Sequence, residues 1–381
     1  MSNLETRPRE EVCAAGSHAA SSDGTAGSAA GGAPVAAVEI LDHRQVPLGG
    51  TRAMDVRRTL PQRVRSLVGA WCFLDHYGPD DVSTSDGMQV PPHPHTGLQT
   101  VSWLFEGEIA HRDSVGSLQT VRPGELNLMT AGRGISHSEE SPAGLRPPLL
   151  HGVQLWVALP GDRLGDEPFF EHHGDLPVWS GPGGERVQVL VGSLGVGGAR
   201  LRSAATVFTP LVGAQVDLPA GASVELAVDP GFEHALLVDT GDASFEGVTV
   251  PVASLGYVEP GRAALTVTAG ASPVRAVLIG GEPFAEEIVM WWNFVGRSHD
   301  DVAAARADWM AQVEVAQGDG TDGPGTGAEA PAQVPVPGDG GTRYAAGASG
   351  RRFGEVHGYD GGPLPAPVLP DVRLKPRRRP A

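Results

Sequence analysis

Cysteine is almost missing from this chain: 381 residues carry two, Cys13 and Cys72, in segments of very different composition. A lone pair of that kind excludes a disulfide framework and fits a reducing compartment. Long apolar runs are missing too. Nothing approaches the ~20 consecutive apolar residues that a membrane-spanning helix needs, and residues 1–35 hold no apolar core of a secretory signal. Positive charge is scarce, with 28 Lys and Arg against 45 Asp and Glu and a net charge of −17. Such a surface repels a phosphate backbone, which argues against nucleic acid on the folded body. A soluble, cytoplasmic protein is the expectation. The one basic cluster, Arg373-Leu374-Lys375-Pro376-Arg377-Arg378-Arg379, closes the chain and reads as a solvated terminal charge run.

Glycine and proline, by contrast, are abundant, at 53 and 33 residues. They concentrate at the two ends. Residues 1–37 are rich in Ala, Gly and Ser and residues 314–381 in Gly and Pro, compositions that bury too little apolar surface to offset the entropy of ordering. Both are expected to be disordered tails, with Arg351-Arg352-Phe353-Gly354 and Val368-Leu369-Pro370 as the places where the second could dock locally. Between them, short alternating apolar runs are broken by Gly, Pro and Asp turns, the rhythm of an all-β sandwich or barrel. One helix is expected near the end. Ser298 caps it with Asp301 three residues on, a capping box with Asp in place of Glu, and Val302, Ala305, Trp309 and Val313 form its apolar stripe.

The chemistry concentrates in two triplets, His93-Pro94-His95 and, about forty residues on, His137-Ser138-Glu139. On a strand, residues two apart share a face. Two such strands facing one another in a small barrel would offer three imidazoles and one carboxylate to one ion, with one or two coordination positions left open. That is the pattern of a working metal centre, suited to Fe(II), Mn(II), Co(II), Ni(II), Cu(II) or Zn(II). Gly134 is expected to let its strand enter the site closely. The adjacent pair His172-His173 reads as a chance occurrence, and His76, His111 and His151 as hydrogen-bonded structural histidines or as outer partners of the ligands.

The segments around the triplets add to this: Trp71-Cys72-Phe73-Leu74-Asp75-His76-Tyr77, Leu104-Phe105-Glu106-Gly107-Glu108, His111-Arg112-Asp113-Ser114, Gly132-Arg133-Gly134-Ile135-Ser136 and Trp292-Asn293-Phe294-Val295. In this order and spacing they resemble the pirin family of iron-binding bicupins over residues 38–312. The resemblance implies an all-β bicupin of two stacked antiparallel barrels, or jelly rolls. Residues 38–165 would be the metal-binding barrel, 166–283 a metal-free barrel, and 284–313 a closing segment with a short C-terminal helix. It places His93, His95, His137 and Glu139 at the family's four ligand positions and implies that the ion is iron, Fe(II).

A weak internal repeat agrees, with Leu237 to Asp242 echoing Trp103 to Glu108. Laid together, the two halves put Ala227, Asp229, Val274 and Ala276 at the positions of the four ligands, so the second barrel is not expected to hold the same ion, and one ion per chain is the expectation. Gln99 stands where cupin enzymes place a Glu. By strand parity Gln99 and Trp103 are expected to face the metal side and, with Trp156, to wall a pocket for a small planar aromatic substrate. Trp291-Trp292-Asn293-Phe294 is assigned to packing. The resemblance implies a dioxygenase that cleaves a flavonol such as quercetin, with Glu139 doubling as general base. The alternatives are an iron-dependent redox-sensing regulatory protein that binds a transcription factor or metabolic enzyme, and a bicupin that keeps its metal for stability alone. A monomer is expected, since a bicupin buries barrel edges within one chain.

Overall fold

The computed structural model describes residues 38–47, 54–142, 148–318, 332–335, 342–345 and 351–376. The described residues form strands and one α-helix, His299–Gly318. Every pairing between the named strands is antiparallel. A nine-stranded sheet has Trp71–Asp81, Leu149–Ala158, Leu98–Glu106 and Leu126–Thr130 as its centre. A four-stranded sheet, in the order Gln89–His95, Ile135–Glu140, Ile109–Asp113, Leu118–Val121, closes over it to complete the first barrel. The second domain is a twelve-stranded sheet whose centre is Glu233–Thr240, Val274–Gly281, Leu211–Leu218 and Arg186–Val196. Its interior is apolar, filled by side chains such as Val187, Val216, Leu226, Phe245, Val274 and Ala276.

Strand Glu39–Leu41 does not join the first barrel; it pairs with Leu255–Val258 of the second domain. Strand Phe169–His173 pairs with Leu126–Thr130 and so belongs to the first sheet, beyond the expected division at residue 165. Loop positions carry few signals of which sheet the next strand will join, so a division drawn at residue 165 does not mark where the strands change sheet. His173 is fully buried in that strand and His172 Nδ1 donates to Asn127 Oδ1 at 3.0 Å, so the pair is structural.

Residues 1–37 lie outside the described residues, as do 319–331, 336–341, 346–350 and 377–381. The rest of the expected C-terminal tail is ordered. Strand Thr342–Ala345 extends the first sheet beside Phe169–His173, and Phe353 and Leu374 are buried against the helix. The Trp309 indole donates to Leu364 O at 2.8 Å, and Leu364 N to Pro92 O at 2.8 Å. Arg373 pairs with Asp300 at 2.8 Å and remains largely exposed, as expected of a solvated terminal charge. Composition misses this ordering because scattered apolar residues suffice when a preformed groove receives them. The helix itself follows expectation. Ser298 Oγ accepts from Asp301 N at 3.2 Å while Asp301 Oδ2 accepts from Ser298 N at 2.8 Å, and Val302, Ala305, Trp309 and Val313 are buried. None of the described helices is long and apolar enough to cross a membrane.

The two large sheets pack face to face through one shared core that includes Trp71, Trp103, Leu155, Leu237 and Ile279. Polar groups on that face find partners across it. The Trp71 indole donates to Gly280 O at 3.1 Å and the Trp103 indole to Gln215 Oε1 at 2.7 Å. Asp239 Oδ1 accepts from His76 Nε2 at 2.7 Å and His151 Nε2 at 2.6 Å, while Arg275 lies 3.4 Å from Oδ2. His76 and His151 are therefore hydrogen-bonded structural histidines. Burial opposes the Asp239 charge, but the two imidazole N–H groups more than offset it and hold its pKa at about 2.

A carboxyl held below its unfolded value stabilises the fold above that value and loses the contribution as acid protonates it. Asp239→Asn is therefore expected to lower unfolding free energy by about 2 kcal/mol at neutral pH. In urea titrations the gap from the wild type should narrow as pH falls from 3.8 toward about 2. Equal stabilities at neutral pH would contradict this account of the junction.

Candidate metal centre

Strands Gln89–His95 and Ile135–Glu140 lie side by side in the four-stranded sheet rather than facing one another across the barrel. His93 sits directly opposite His137, and Glu139 opposite His111 on the third strand. Directly opposed residues and residues two apart share a face, so His93, His95, His111, His137 and Glu139 all project from one side. A register shift between His137 and Glu139 sets the carboxylate beyond the imidazoles. Gln89–His95 is an edge strand, which is why it tolerates Pro91, Pro92 and Pro94: it needs ladder hydrogen bonds on one side only.

Donor atoms of His93, His95 and His137 lie within 4.8 Å of one another, and so do those of His111, His137 and Glu139. The four expected ligands thus fall into two overlapping groups that share His137. All five side chains are buried, the four expected ligands to 1% exposure or less. Burial drives the His93 pKa down to about 4, against the pull of Glu139 and the Pro91 carbonyl. Burial, then mutual repulsion between the rings, carries His95 and His137 well below the ordinary histidine range. At neutral pH the imidazoles are neutral, the form that coordinates a metal.

Two of the three second nitrogens, those of His93 and His137, are spoken for. His93 Nδ1 donates to Pro91 O at 2.8 Å. Asp113 Oδ2 accepts from His111 Nε2 at 3.0 Å, and its Oδ1 accepts from Val115 N and Ser117 N. That fixes the proton of His111 on Nε2 and leaves its Nδ1 to accept from His137 Nδ1 at 3.4 Å. The consequence is that His93 Nε2 and His137 Nε2 point lone pairs into the site. Both atoms are buried without a hydrogen-bond partner among the described residues, and the ring nitrogens of His95 have only the Asn293 backbone beside them. Each such orphan costs about 1–3 kcal/mol, and a cation at their centre would satisfy them together. The residues therefore fit a divalent metal. The Asp113–His111–His137 relay went unread in the sequence as a relay, although His111 was among the possible outer partners; the alternation His111-Arg112-Asp113 was the available signal.

The sheet opposite contributes Ser102, Gln154 and Trp156. The Ser102 hydroxyl donates to Gln154 Oε1 at 2.9 Å and lies 3.4 Å from Glu139 Oε1. Trp156 stands edge-on to His95, centroids 5.2 Å apart, and stacks on Phe73 at 4.0 Å. Gln99 and Trp103 are elsewhere. Gln99 donates to Thr130 Oγ1 at 2.9 Å and Thr206 O at 3.0 Å, and Trp103 reaches Gln215, so both face the second domain. The parity argument fails because the chain turns at Thr96-Gly97 into a different sheet. Gly97 has φ +68, and a Cβ there would stand 2.2 Å from Val295 O. Gly134 likewise makes room for Arg352 rather than for the site: its missing Cβ would lie 3.0 Å from Arg352 O. The segment Trp291 to Phe294 packs beside the same turn, with Val295 N donating to Thr96 O at 3.0 Å.

Comparisons with known proteins place this geometry. The Pirin family profile matches residues 52–157 and the Pirin C-terminal cupin domain profile matches residues 213–313. A Pseudomonas aeruginosa protein provisionally named a quercetin 2,3-dioxygenase is 42% identical over 266 residues, covering 70% of this chain and 81% of that protein. A pirin-like protein of Caulobacter vibrioides is 37% identical, covering 71% and 92%. The crystal structure of a quercetin 2,3-dioxygenase from Acinetobacter baumannii superposes with a TM-score of 0.72 at 35% identity, over 89% of this chain and 98% of that one.

If His111 sets the tautomer of His137, His111→Leu should weaken divalent-metal affinity about 10–100-fold, the usual cost of losing such a partner. Competition against a chelator measures this. Unchanged affinity would show that the relay does not orient His137.

Proposed function

The chain belongs to the pirin family, and from that premise we propose that it is a metal-dependent dioxygenase cleaving a flavonol such as quercetin, with Fe(II) held by His93, His95, His137 and Glu139. The observation that carries the reading is the set of converging, neutral imidazole nitrogens, without hydrogen-bond partners among the described residues, on one sheet face beside a buried carboxylate. Relatives at 42% and 35% identity that bear the name quercetin 2,3-dioxygenase support the reaction class. A divalent ion in that set supplies Lewis acidity toward a hydroxyl oxygen and open positions for a further oxygen ligand.

The protein's own groups do the rest. Glu139 is the candidate general base: a carboxylate oxygen takes the proton of the flavonol 3-hydroxyl, while the Ser102 hydroxyl at 3.4 Å steadies the other side of the group. Trp156, backed by Phe73, offers a flat apolar wall beside His95 for a planar ring system. Exclusion of water from a site this buried strengthens each of these interactions. Gln99 and Trp103 take no part in the pocket and tie the barrel to its neighbour instead. The same reading takes the chain as a cytoplasmic monomer, since two barrels that bury each other's faces need no second copy to do so.

The test is metal content with oxygen uptake. Protein reconstituted with Fe(II) is expected to hold about one ion per chain and to consume oxygen when quercetin is added, with release of carbon monoxide. Glu139→Gln should lower kcat about 10²–10⁴-fold, the usual contribution of a positioned base. Iron without uptake would transfer the site to a regulatory role, in which a partner protein senses the state of the metal. Absence of bound metal after reconstitution would overturn both readings.

A further inference from the structure

The second barrel has a cavity of its own, with a volume of 640 Å3, inside the ~300–1,000 Å3 range of small-molecule sites. It opens beside strand Arg186–Val196, strand Ala199–Arg202 and the start of strand Glu233–Thr240. The internal repeat explains its place. With Gly241 laid on Gly107, Asp229 falls at His95 and His234 at Thr100. Thr100 pairs with Trp156, which adjoins the metal cluster in the first barrel. The cavity therefore sits at the end of the second barrel that corresponds to the metal centre of the first.

Its deepest polar group is His234, 1% exposed. Neither Nδ1 nor Nε2 has a hydrogen-bond partner among the described residues. Room for the ring is built in: a Cβ on neighbouring Gly280 would lie 2.4 Å from it. Burial lowers the His234 pKa to about 4, so at neutral pH the ring presents one donor and one acceptor. A ligand hydroxyl, itself both donor and acceptor, can satisfy whichever nitrogen it meets. Phe232, Val207 and Val212 supply apolar wall, with the Phe232 ring 6.0 Å from that of His234.

The mouth is cationic. Arg200 and Arg202 are two apart on one strand and so share a side. Arg200 donates to Ser193 Oγ at 2.9 Å, and Arg202 has no ion-pair partner among the described residues. Asp229, the carboxylate that also lines the cavity, is engaged by Gly231 N at 2.8 Å. Two guanidinium groups against one carboxylate leave the lining net positive, which favours an anion, and a guanidinium pairs best with a planar carboxylate.

We propose that this cavity is a second ligand site, which takes a small hydroxylated carboxylate with a flat apolar body. The carboxylate lies at Arg200 and Arg202, the body against Phe232, and the hydroxyl at His234. The site is independent of the metal and of the reaction assigned to it.

Isothermal titration of the full chain with 4-hydroxybenzoate tests this, before and after metal removal by a chelator. Saturable binding at one site per chain is expected in both forms. Arg202→Gln should weaken it about tenfold, the value of one charge-assisted hydrogen bond, and this exposed substitution leaves folding intact. His234→Leu should bind 4-hydroxybenzoate no better than benzoate, with thermal unfolding checking that the variant is folded. Loss of all binding on metal removal would assign the ligand to the metal centre and overturn the proposal. So would affinity unchanged in both variants, or no binding at millimolar ligand.

Discussion

Burying imidazoles in a place where no second proton can stay on them is the constraint from which the first barrel takes its form. Desolvation strips the charge from His93, His95 and His137, and an acceptor on one nitrogen of a neutral ring fixes the other as the metal-binding one. The strands around the site supply that acceptor to two of the rings. Pro91 O serves His93, and Asp113 acts through His111 on His137. Proline in the edge strand is part of the same solution, because it keeps the Pro91 carbonyl at hand without requiring a ladder on both sides.

The sheet that faces the cluster has two duties. On strand Leu98–Glu106, Ser102 turns toward Glu139 while Gln99 and Trp103 turn toward the second domain. Strand alternation thus lets one segment shape the site and bind the two domains. The ionic cluster of His76, His151 and Asp239 lies on that outer face, where Asp239 of the second domain receives two imidazole N–H groups of the first. The two barrels have kept one topology and filled it differently. Apolar side chains occupy the second interior where the first is polar, and a buried histidine without a hydrogen-bond partner among the described residues lies deep in its cavity.

Much of this was legible from spacing. Alternation at His93-Pro94-His95 and His137-Ser138-Glu139 put each pair on one face, and the Ser298–Asp301 cap and its stripe located the helix, although it runs on to Gly318. What alternation cannot do is cross a turn. The parity of His95 says nothing about Gln99 once Gly97 has redirected the chain into another sheet, so Gln99 and Trp103 were assigned to the wrong side. Nor does composition reveal docking. Phe353 and Leu374 are single apolar residues in a Gly- and Pro-rich stretch, and only the surface made by the helix and Trp292 gives them somewhere to go. The role of Gly134 was hidden for the same reason, since its neighbour is Arg352, more than two hundred residues away.

X-ray absorption at the metal edge of the loaded protein addresses the central claim most directly, because it counts imidazoles without reference to activity. The account predicts scattering from three rings, those of His93, His95 and His137, with one ring lost in His95→Ala and an oxygen contribution altered in Glu139→Gln. A spectrum with fewer than three imidazoles, or one indifferent to His95→Ala, would contradict it.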